Sequence, residues 1–170
     1  MKNKTGIFYG SSTGTTARIA RKIGTLLNIP DNDIHDVAKT APSKVGDYDV
    51  LIFGTSTWGS GEIQDDWLDF ADGVEVLDLK GKKIALFGCG DETMSDTFCN
   101  AVGELRHRLT GTHAEFIGEY YSGSYDFDES DATDPETGKM YGLVLDETNH
   151  PELTDARLHA WTQQISDEIA

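Results

Sequence analysis

The chain has 170 residues, of which 38% are hydrophobic and 26% charged, an ordinary balance for a globular protein. Its 30 acidic residues exceed its 14 lysines and arginines, so the formal net charge is −16. This charge disfavours binding to nucleic acid and to anionic membranes, and it favours basic protein surfaces as partners. A solvated acidic surface without any partner is the alternative explanation. The length suits a single domain over residues 1–170.

The cysteine content and the N-terminus indicate a compartment. Cys89 and Cys99 are too few for a disulfide framework, which favours a reducing compartment and ordinary buried thiols. Only three apolar residues precede Gly10 in the first apolar run, too few for a secretory signal, and no later run approaches a membrane span. We therefore expect a cytoplasmic protein.

Short apolar runs alternate with helical patterns along the chain. Strands are predicted at Thr5–Tyr9, Ile34–Val37, Asp49–Gly54, Lys83–Gly88, Glu115–Gly118 and Leu143–Leu145. Helices are predicted at Thr15–Leu27, Asp65–Ala71, Asp96–Leu109 and Thr154–Ile169. The runs Val50–Phe53 and Ile84–Phe87 are apolar throughout, as is typical of parallel strands buried on both faces. The alternation predicts an α/β fold, a doubly wound parallel sheet with helices on both faces.

The segment Tyr120–Tyr141 interrupts this alternation. It is rich in tyrosine, glycine and aspartate and has no clear period, so we interpret it as an insertion near the last strand, anchored by its aromatic side chains. Asp126 and Asp128 suggest a calcium site, but the glycine and the distal glutamate of an EF-hand are missing. A solvated loop is therefore the favoured interpretation.

The first strand runs into a glycine- and hydroxyl-rich turn that opens the first helix. Glycine lets the backbone approach an anion closely, and the N–H groups of the first helical turn point at it. The turn has no lysine, so a single phosphate monoester fits better than the triphosphate of a Walker loop. A cluster of helix-capping hydroxyls is the alternative. The candidate phosphate-binding residues are Ser11, Ser12, Thr13, Gly14, Thr15 and Thr16.

Two further turns follow the third and fourth predicted strands, at the sheet edge where a doubly wound fold binds its ligands. Trp58 stands among glycines in the second turn, where its ring can stack on a flat ligand; Trp67 and Trp161 fit core positions on helices instead. Gly59 allows the following peptide to take either of two orientations. Asp91 in the third turn is either a turn residue or an acceptor for a ring N–H.

These three turns resemble those of the flavodoxin family, and the similarity runs over essentially the whole chain. Ser11–Thr16 looks like the family's FMN phosphate loop, Thr57–Glu62 like the loop at the inner flavin face, and Phe87–Asp91 like the loop at the pyrimidine edge. The insertion, with Gly142–Glu147 after it, resembles that of long-chain flavodoxins. The resemblance implies a three-layer, five-stranded parallel sheet of order 2-1-3-4-5, noncovalently bound FMN and one-electron transfer.

The resemblance also implies roles for particular residues. Trp58 would cover one flavin face, and the Gly59–Ser60 peptide would offer its carbonyl to N5 when N5 carries a proton. Main-chain N–H groups at Asp91 and Cys99 would contact N1 and O2. Thr57 and Asp146 would reach the ribityl chain. Beyond the phosphate loop, the implied cofactor-binding residues are Thr57, Trp58, Gly59, Ser60, Gly61, Cys89, Gly90, Asp91, Met94, Phe98, Cys99 and Asp146.

One residue departs from the family pattern. Flavodoxins usually carry a tyrosine that stacks on the outer flavin face, whereas Met94 stands nearest that place here. A thioether contacts aromatic rings with about 0.3–1.5 kcal/mol. The loss of the tyrosine would also suit an FMN-dependent quinone or flavin reductase with an open substrate face, which is the alternative function. A response-regulator-like switch is disfavoured, because Tyr9–Ser11 and Gly54–Thr55 occupy its required acidic positions.

The expected partners follow from the charge and from the resemblance. No basic residue lies in the three turns, so the second electron on the flavin is disfavoured and its potential is low. We expect a monomer that docks transiently with basic-surfaced redox proteins, a reductase as donor and low-potential enzymes as acceptors.

Overall fold

The structure is a computed structural model that describes residues 3–58, 62–121, 123 and 125–170, with Trp58 described by its main chain. One sheet runs through it, and five of its strands follow the order β2-β1-β3-β5-β6 with parallel neighbours. This is the predicted order 2-1-3-4-5 once β4, which pairs with the end of β3, is set aside. The strands are β1 (Thr5–Tyr9), β2 (Ile34–Asp36), β3 (Val50–Trp58), β4 (Glu62–Ile63), β5 (Lys83–Cys89), β6 (Glu115–Ile117) and β7 (Leu143–Leu145).

The last strand of the sheet is divided into two halves. The first half, β6, pairs in parallel with residues 83–85 of β5, and the second half, β7, pairs in parallel with residues 87–89. The predicted insertion lies between the two halves, where Tyr120 and Met140 exchange main-chain hydrogen bonds of 3.0 and 2.8 Å. The prediction of an insertion at the last strand is therefore confirmed.

The helices are α1 (Thr15–Leu26), α2 (Asp66–Val74), α3 (Asn100–Arg108) and α4 (Pro151–Ile169). The third helix starts later than predicted, because hydrogen-bonded turns occupy residues 91–97 and Cys99 has a φ of +53°, outside the helical region. The fourth helix starts earlier than predicted, because Pro151 at its first position has the φ that a helix needs and lacks only an N–H that would have no partner there.

Helices cover both faces of the sheet, as the buried strands require. Alternate residues along β1 point to opposite faces, so Phe8 joins the core under α2 and α3 while Ile7 joins the core under α1 and α4. Trp67 and Trp161 are fully buried in these two cores, and their indole N–H groups donate to the carbonyls of Gly54 (2.7 Å) and Gly118 (2.9 Å). Both tryptophans thus have the core positions predicted for them. Within the described residues, no helix combines the length and hydrophobicity needed to cross a membrane.

Candidate functional site

The turn that the sequence predicts to bind phosphate joins β1 to α1 and has a geometry suited to an anion. Gly14 has a φ of +92°, and its N–H donates to the Ser11 hydroxyl at 3.0 Å. The N-cap residue of α1 is Gly14, which has no side chain to cap the helix, and the first helical turn contains no acidic residue. The helix N-terminus therefore keeps the partial positive charge that an anion needs. The described side chains of this turn therefore do not form the helix-capping cluster that was the alternative interpretation.

The hydroxyls of this turn divide into two groups. Thr13 and Thr15 line an open cavity, and Ser12 is exposed with its hydroxyl accepting from the Gln64 side-chain amide at 3.0 Å. Thr16 is buried behind the turn, and its side chain opposes the larger effect of burial, which raises the pKa of the Cys89 thiol. Thr16 therefore supports the turn from inside, and the other hydroxyls remain accessible to a ligand.

The cavity beside this turn lies at the carboxyl edge of the sheet and has a volume of about 320 Å³. It brings together residues from all three predicted turns and from the segment between β7 and α4. The lining residues are Thr13, Thr15, Arg18, Ser56, Thr57, Cys89, Gly90, Asp91, Glu147 and Thr148. These residues lie at the sheet edge where the sequence predicts the ligand site.

Part of the second turn lies outside the described residues. The expected roles of the Trp58 ring, Gly59, Ser60 and Gly61 stay predictions for that reason. Thr57 is described: its hydroxyl lines the cavity and accepts from the main-chain N–H of Ala101 at 3.3 Å, which ties the end of β3 to α3.

Ser56 provides a test of whether this cavity suits a polar ligand. Its hydroxyl is buried on the cavity wall and has no hydrogen-bond partner within the described part of the chain. Because an unpaired buried hydroxyl costs free energy, a native protein usually gives it a partner. A ligand bearing several hydroxyl and phosphate oxygens, as FMN does, fits a wall built from Ser56, Thr57 and the threonines of the first turn.

The third turn is held by its own side chains and by the β7 region. The Asp91 Oδ1 atom accepts from the Thr93 N–H (2.9 Å), the Thr93 hydroxyl (2.6 Å) and the Asn149 side-chain amide (2.7 Å). These bonds, the Thr93 hydroxyl foremost, lower the pKa of Asp91. The Asp91 carboxylate therefore makes the contacts of a turn residue, and its role as an acceptor for a ring N–H stays a prediction. Gly90 has no room for a side chain, since a Cβ there would lie 2.8 Å from the Cys99 sulfur.

The two cysteines are buried free thiols, as predicted. Burial raises the pKa of Cys89 to about 12 and raises the pKa of Cys99 well above its ordinary value. Neither thiol therefore ionises near neutral pH, and both serve to pack the third turn against the sheet.

Three of the predicted site residues occupy different environments. Met94 is 49% exposed on the third turn, so its thioether is accessible. Phe98 is buried and stacks on Phe127, with ring centroids 4.8 Å apart, so its side chain belongs to the core and any cofactor contact would come from its main chain. Asp146 is fully buried and its carboxylate accepts four hydrogen bonds from neighbouring loops. Its side chain does not line the cavity, and its contact to a ribityl chain stays a prediction.

The sequence did not reveal an ion pair on the cavity wall. Arg18, one helical turn beyond Thr15, pairs with Glu147, whose other carboxylate oxygen accepts from the Thr154 hydroxyl at 2.7 Å. The pair joins α1 to the segment after β7. The sequence could have indicated only that Arg18 lies on the same helix face as Thr15, because residues three apart share a face. Its partner Glu147 lies far away along the chain.

The fold and the site together define a class of protein. A parallel sheet of this order, with a hydroxyl-lined cavity beyond its carboxyl edge and an uncapped helix N-terminus after β1, is a doubly wound nucleotide-binding domain. The family model described as "Flavodoxin" matches residues 7–161. The chain belongs to the flavodoxin family.

Relatives and solved structures agree with this assignment. The chain is 40% identical to Flavodoxin 1 of Escherichia coli (strain K12) over 166 residues, which cover 97% of this chain and 94% of the relative. It is 41% identical to the flavodoxin of Haemophilus influenzae over 165 residues, 96% of this chain and 94% of that protein. The crystal structure of Fusobacterium nucleatum flavodoxin bound to flavin mononucleotide is similar with a TM-score of 0.88, at 28% identity and with 98% of each chain covered.

Proposed function

We propose that this chain is a low-potential one-electron carrier that binds FMN noncovalently in the cavity at the carboxyl edge of its sheet. As a member of the flavodoxin family it is an electron-transfer protein rather than a substrate-converting enzyme. The observation that carries the proposal is the meeting of an uncapped helix N-terminus with a hydroxyl-lined cavity at the switch point of the sheet. FMN, when bound, supplies the one-electron chemistry, and the protein supplies binding and electrostatics.

The phosphate is assigned to the first turn. Gly14 opens the main chain there, and Thr13 and Thr15 add hydroxyl donors that carry no charge. Backbone N–H groups and the dipole of α1 balance the phosphate charge without a lysine. Arg18 is nearby, but its charge is already balanced by Glu147.

The proposed low potential rests on the charges around the flavin ring. The third turn contributes Asp91 and Glu92, and the sequence places no lysine or arginine in any of the three turns. A reduced flavin ring that gains negative charge beside these carboxylates is destabilised by like-charge repulsion. The second electron is therefore harder to add than the first, which favours single-electron transfer.

The remaining parts of the proposal concern the partner proteins and the cellular compartment. An electron carrier of this family interacts with redox partner proteins, and the charge of −16 favours partners with basic surfaces that dock transiently. We propose a cytoplasmic monomer that folds as one domain. An FMN-dependent reductase, the alternative function, gains no support from the family or from its FMN-bound neighbour.

Stepwise reduction of the purified protein, followed by its visible spectrum, tests this proposal. We expect a yellow protein whose reduction passes through two separate one-electron steps, with a long-wavelength band that rises and then falls. Direct two-electron reduction would contradict the carrier function and favour the reductase. A colourless protein that does not quench the fluorescence of added FMN would exclude flavin binding altogether.

A further inference from the structure

The third loop, residues 91–98, contributes to the cavity but contains no helix or strand. Its position depends on hydrogen bonds to two other segments of the chain. From the insertion, the N–H groups of Asp128 and Glu129 donate to the Ser95 carbonyl at 2.9 and 2.8 Å. From the segment before α4, the Asn149 side chain donates to Asp91 at 2.7 Å. The position of the third loop therefore depends on these hydrogen bonds.

Glu92 joins all three of these segments. Its N–H donates to Asp146 Oδ2 at 2.9 Å, and its Oε2 atom accepts from the Asp126 N–H of the insertion at 2.7 Å. Its Oε1 atom lies 2.6 Å from Nε2 of His150, the residue that precedes α4. Only 15% of the Glu92 side chain and 28% of the His150 side chain are exposed, so solvent screens this pair less than an ordinary surface pair.

The surroundings of His150 favour its protonated form. Besides Glu92, the Glu152 carboxylate on α4 lies 3.2 Å from Nδ1, so the charged imidazole donates to a carboxylate from each ring nitrogen. From the insertion, the Tyr125 ring lies 5.6 Å away, and the Arg157 guanidinium packs 4.0 Å from that ring. The hydrogen bonds to Glu92 first, and to Glu152 second, raise the pKa of His150.

We propose that Glu92 and His150 form a proton-dependent latch that positions the third loop for the flavin ring. Neither residue lines the cavity, so both are positioning residues that act through the loop. With His150 protonated, the ion pair holds Glu92 against the insertion and the segment before α4. When His150 loses its proton, the pair loses its charge–charge attraction and the loop is held less firmly.

The direction of the pH effect follows from linkage. A histidine whose pKa is raised in the folded state contributes its stabilisation fully at pH values below the unfolded-state pKa and loses it as the pH rises through the folded-state pKa. The latch is therefore closed in mildly acidic solution and opens toward alkaline pH. Flavin-ring affinity is expected to fall in the same direction. This inference rests on the proposed function, because it assumes that the third loop contacts a flavin.

Riboflavin binding to the apoprotein provides the first test. Riboflavin lacks the phosphate, whose own ionisation would otherwise add a pH dependence. We expect the Kd of riboflavin to rise between about pH 6 and about pH 8.5. The ratio of the two Kd values should be about threefold larger in the wild type than in His150→Gln or Glu92→Gln. Both variants keep a hydrogen-bonding side chain and remove one charge of the latch. The matched control is His159→Gln, an exposed histidine on α4, which should keep the wild-type pH dependence.

A second measurement separates the latch from the flavin. In the apoprotein, the NMR titration of His150 should give a pKa above the ordinary value of a histidine, and Glu92→Gln should lower that pKa. If the pKa of His150 does not exceed the ordinary value of a histidine, the latch does not exist. If the His150 pKa is raised but riboflavin binding depends on pH equally in wild type and His150→Gln, the pair forms without positioning the loop, and the proposal fails. If neither riboflavin nor FMN binds the wild type at any pH, the proposed function fails, and the titration alone decides whether the ion pair exists.

Discussion

Gly14 determines the geometry of the turn that we propose to bind phosphate through its backbone alone. Its φ of +92° is unfavourable for any residue with a Cβ, and among the described residues no atom beyond the two chain neighbours lies within 4 Å of the position that a Cβ would take. We expect Gly14→Ala to lower the free energy of unfolding by about 1 kcal/mol in urea and to weaken FMN binding. The control is Gly111→Ala, an exposed glycine with equally open space but no left-handed φ, which should change stability by less than about 0.5 kcal/mol. Equal losses in both variants would contradict the backbone explanation.

Asp146 stabilises the site from inside. Its carboxylate is fully buried and accepts from the N–H groups of Glu92, Thr148 and Asn149 and from the Asn149 side chain, at 2.8–3.0 Å. Asp146→Asn replaces an acceptor by a donor that faces other donors, so we expect a loss of about 1–3 kcal/mol in urea unfolding of the apoprotein. Asp155→Asn, which removes an exposed carboxylate from a surface ion pair on α4, should cost less than about 1 kcal/mol. A small effect at Asp146 would show that water or another group replaces these bonds.

At the level of whole elements, apolar runs were predictable and turn-determined boundaries were not. The core segments of β1 and β5 are continuous hydrophobic runs, which is why their starts agree with the sequence prediction. The extension of β3 to Trp58 depends on pairing with β4, a two-residue strand without a pattern of its own. The start of α3 depends on the positive φ of Cys99, which could not be predicted from the residue type.

The residues of the candidate site likewise divide into those that the sequence could indicate and those that it could not. The turn between β1 and α1 could be singled out as a candidate phosphate site because its glycine and hydroxyl residues are consecutive in the chain. The pair of Arg18 and Glu147 was not, because its members are 129 positions apart and meet only through the packing of the segment after β7. Side-chain placement at Phe98 was also not predictable, since the insertion supplies the Phe127 ring that covers it.

The turn that opens the third loop should respond to acid. The Thr93 hydroxyl and N–H and the Asn149 amide hold the pKa of Asp91 below its ordinary value. A carboxylate of lowered pKa stabilises the fold above its unfolded-state pKa and loses this contribution as the pH falls through the folded-state value. We expect Asp91→Asn to be less stable than the wild type near neutral pH and equal to it in acid, as measured by urea midpoints of the apoprotein. Asp96→Asn, at an exposed carboxylate of the same loop, serves as the control. A stability difference that persists unchanged in acid would mean that the charge of Asp91 plays no part.

On the scale of the whole molecule, charge is unevenly distributed between the two edges of the sheet. Lysines stand at the amino edge, with Lys4 before β1 and Lys82 and Lys83 where β5 begins. The loops at the carboxyl edge are acidic and include residues 91–96, 126–131 and 146–147. Since the proposed flavin site is at the carboxyl edge, a basic partner is attracted to the side from which electrons would leave.

This asymmetry predicts how partner association depends on salt and on position. The rate of electron transfer from the reduced protein to a basic acceptor such as cytochrome c should fall about tenfold or more between about 10 mM and about 300 mM salt, because salt screens the attraction. Two exposed glutamates allow the effect of net charge to be distinguished from the effect of where the charge lies. Glu129 lies in the insertion at the carboxyl edge, and Glu115 begins β6 at the amino edge. Glu129→Lys and Glu115→Lys change the net charge equally, so a larger loss of low-salt rate in Glu129→Lys indicates docking at the carboxyl edge. Equal losses would show that net charge alone steers the partner, and no dependence on salt would exclude electrostatic docking.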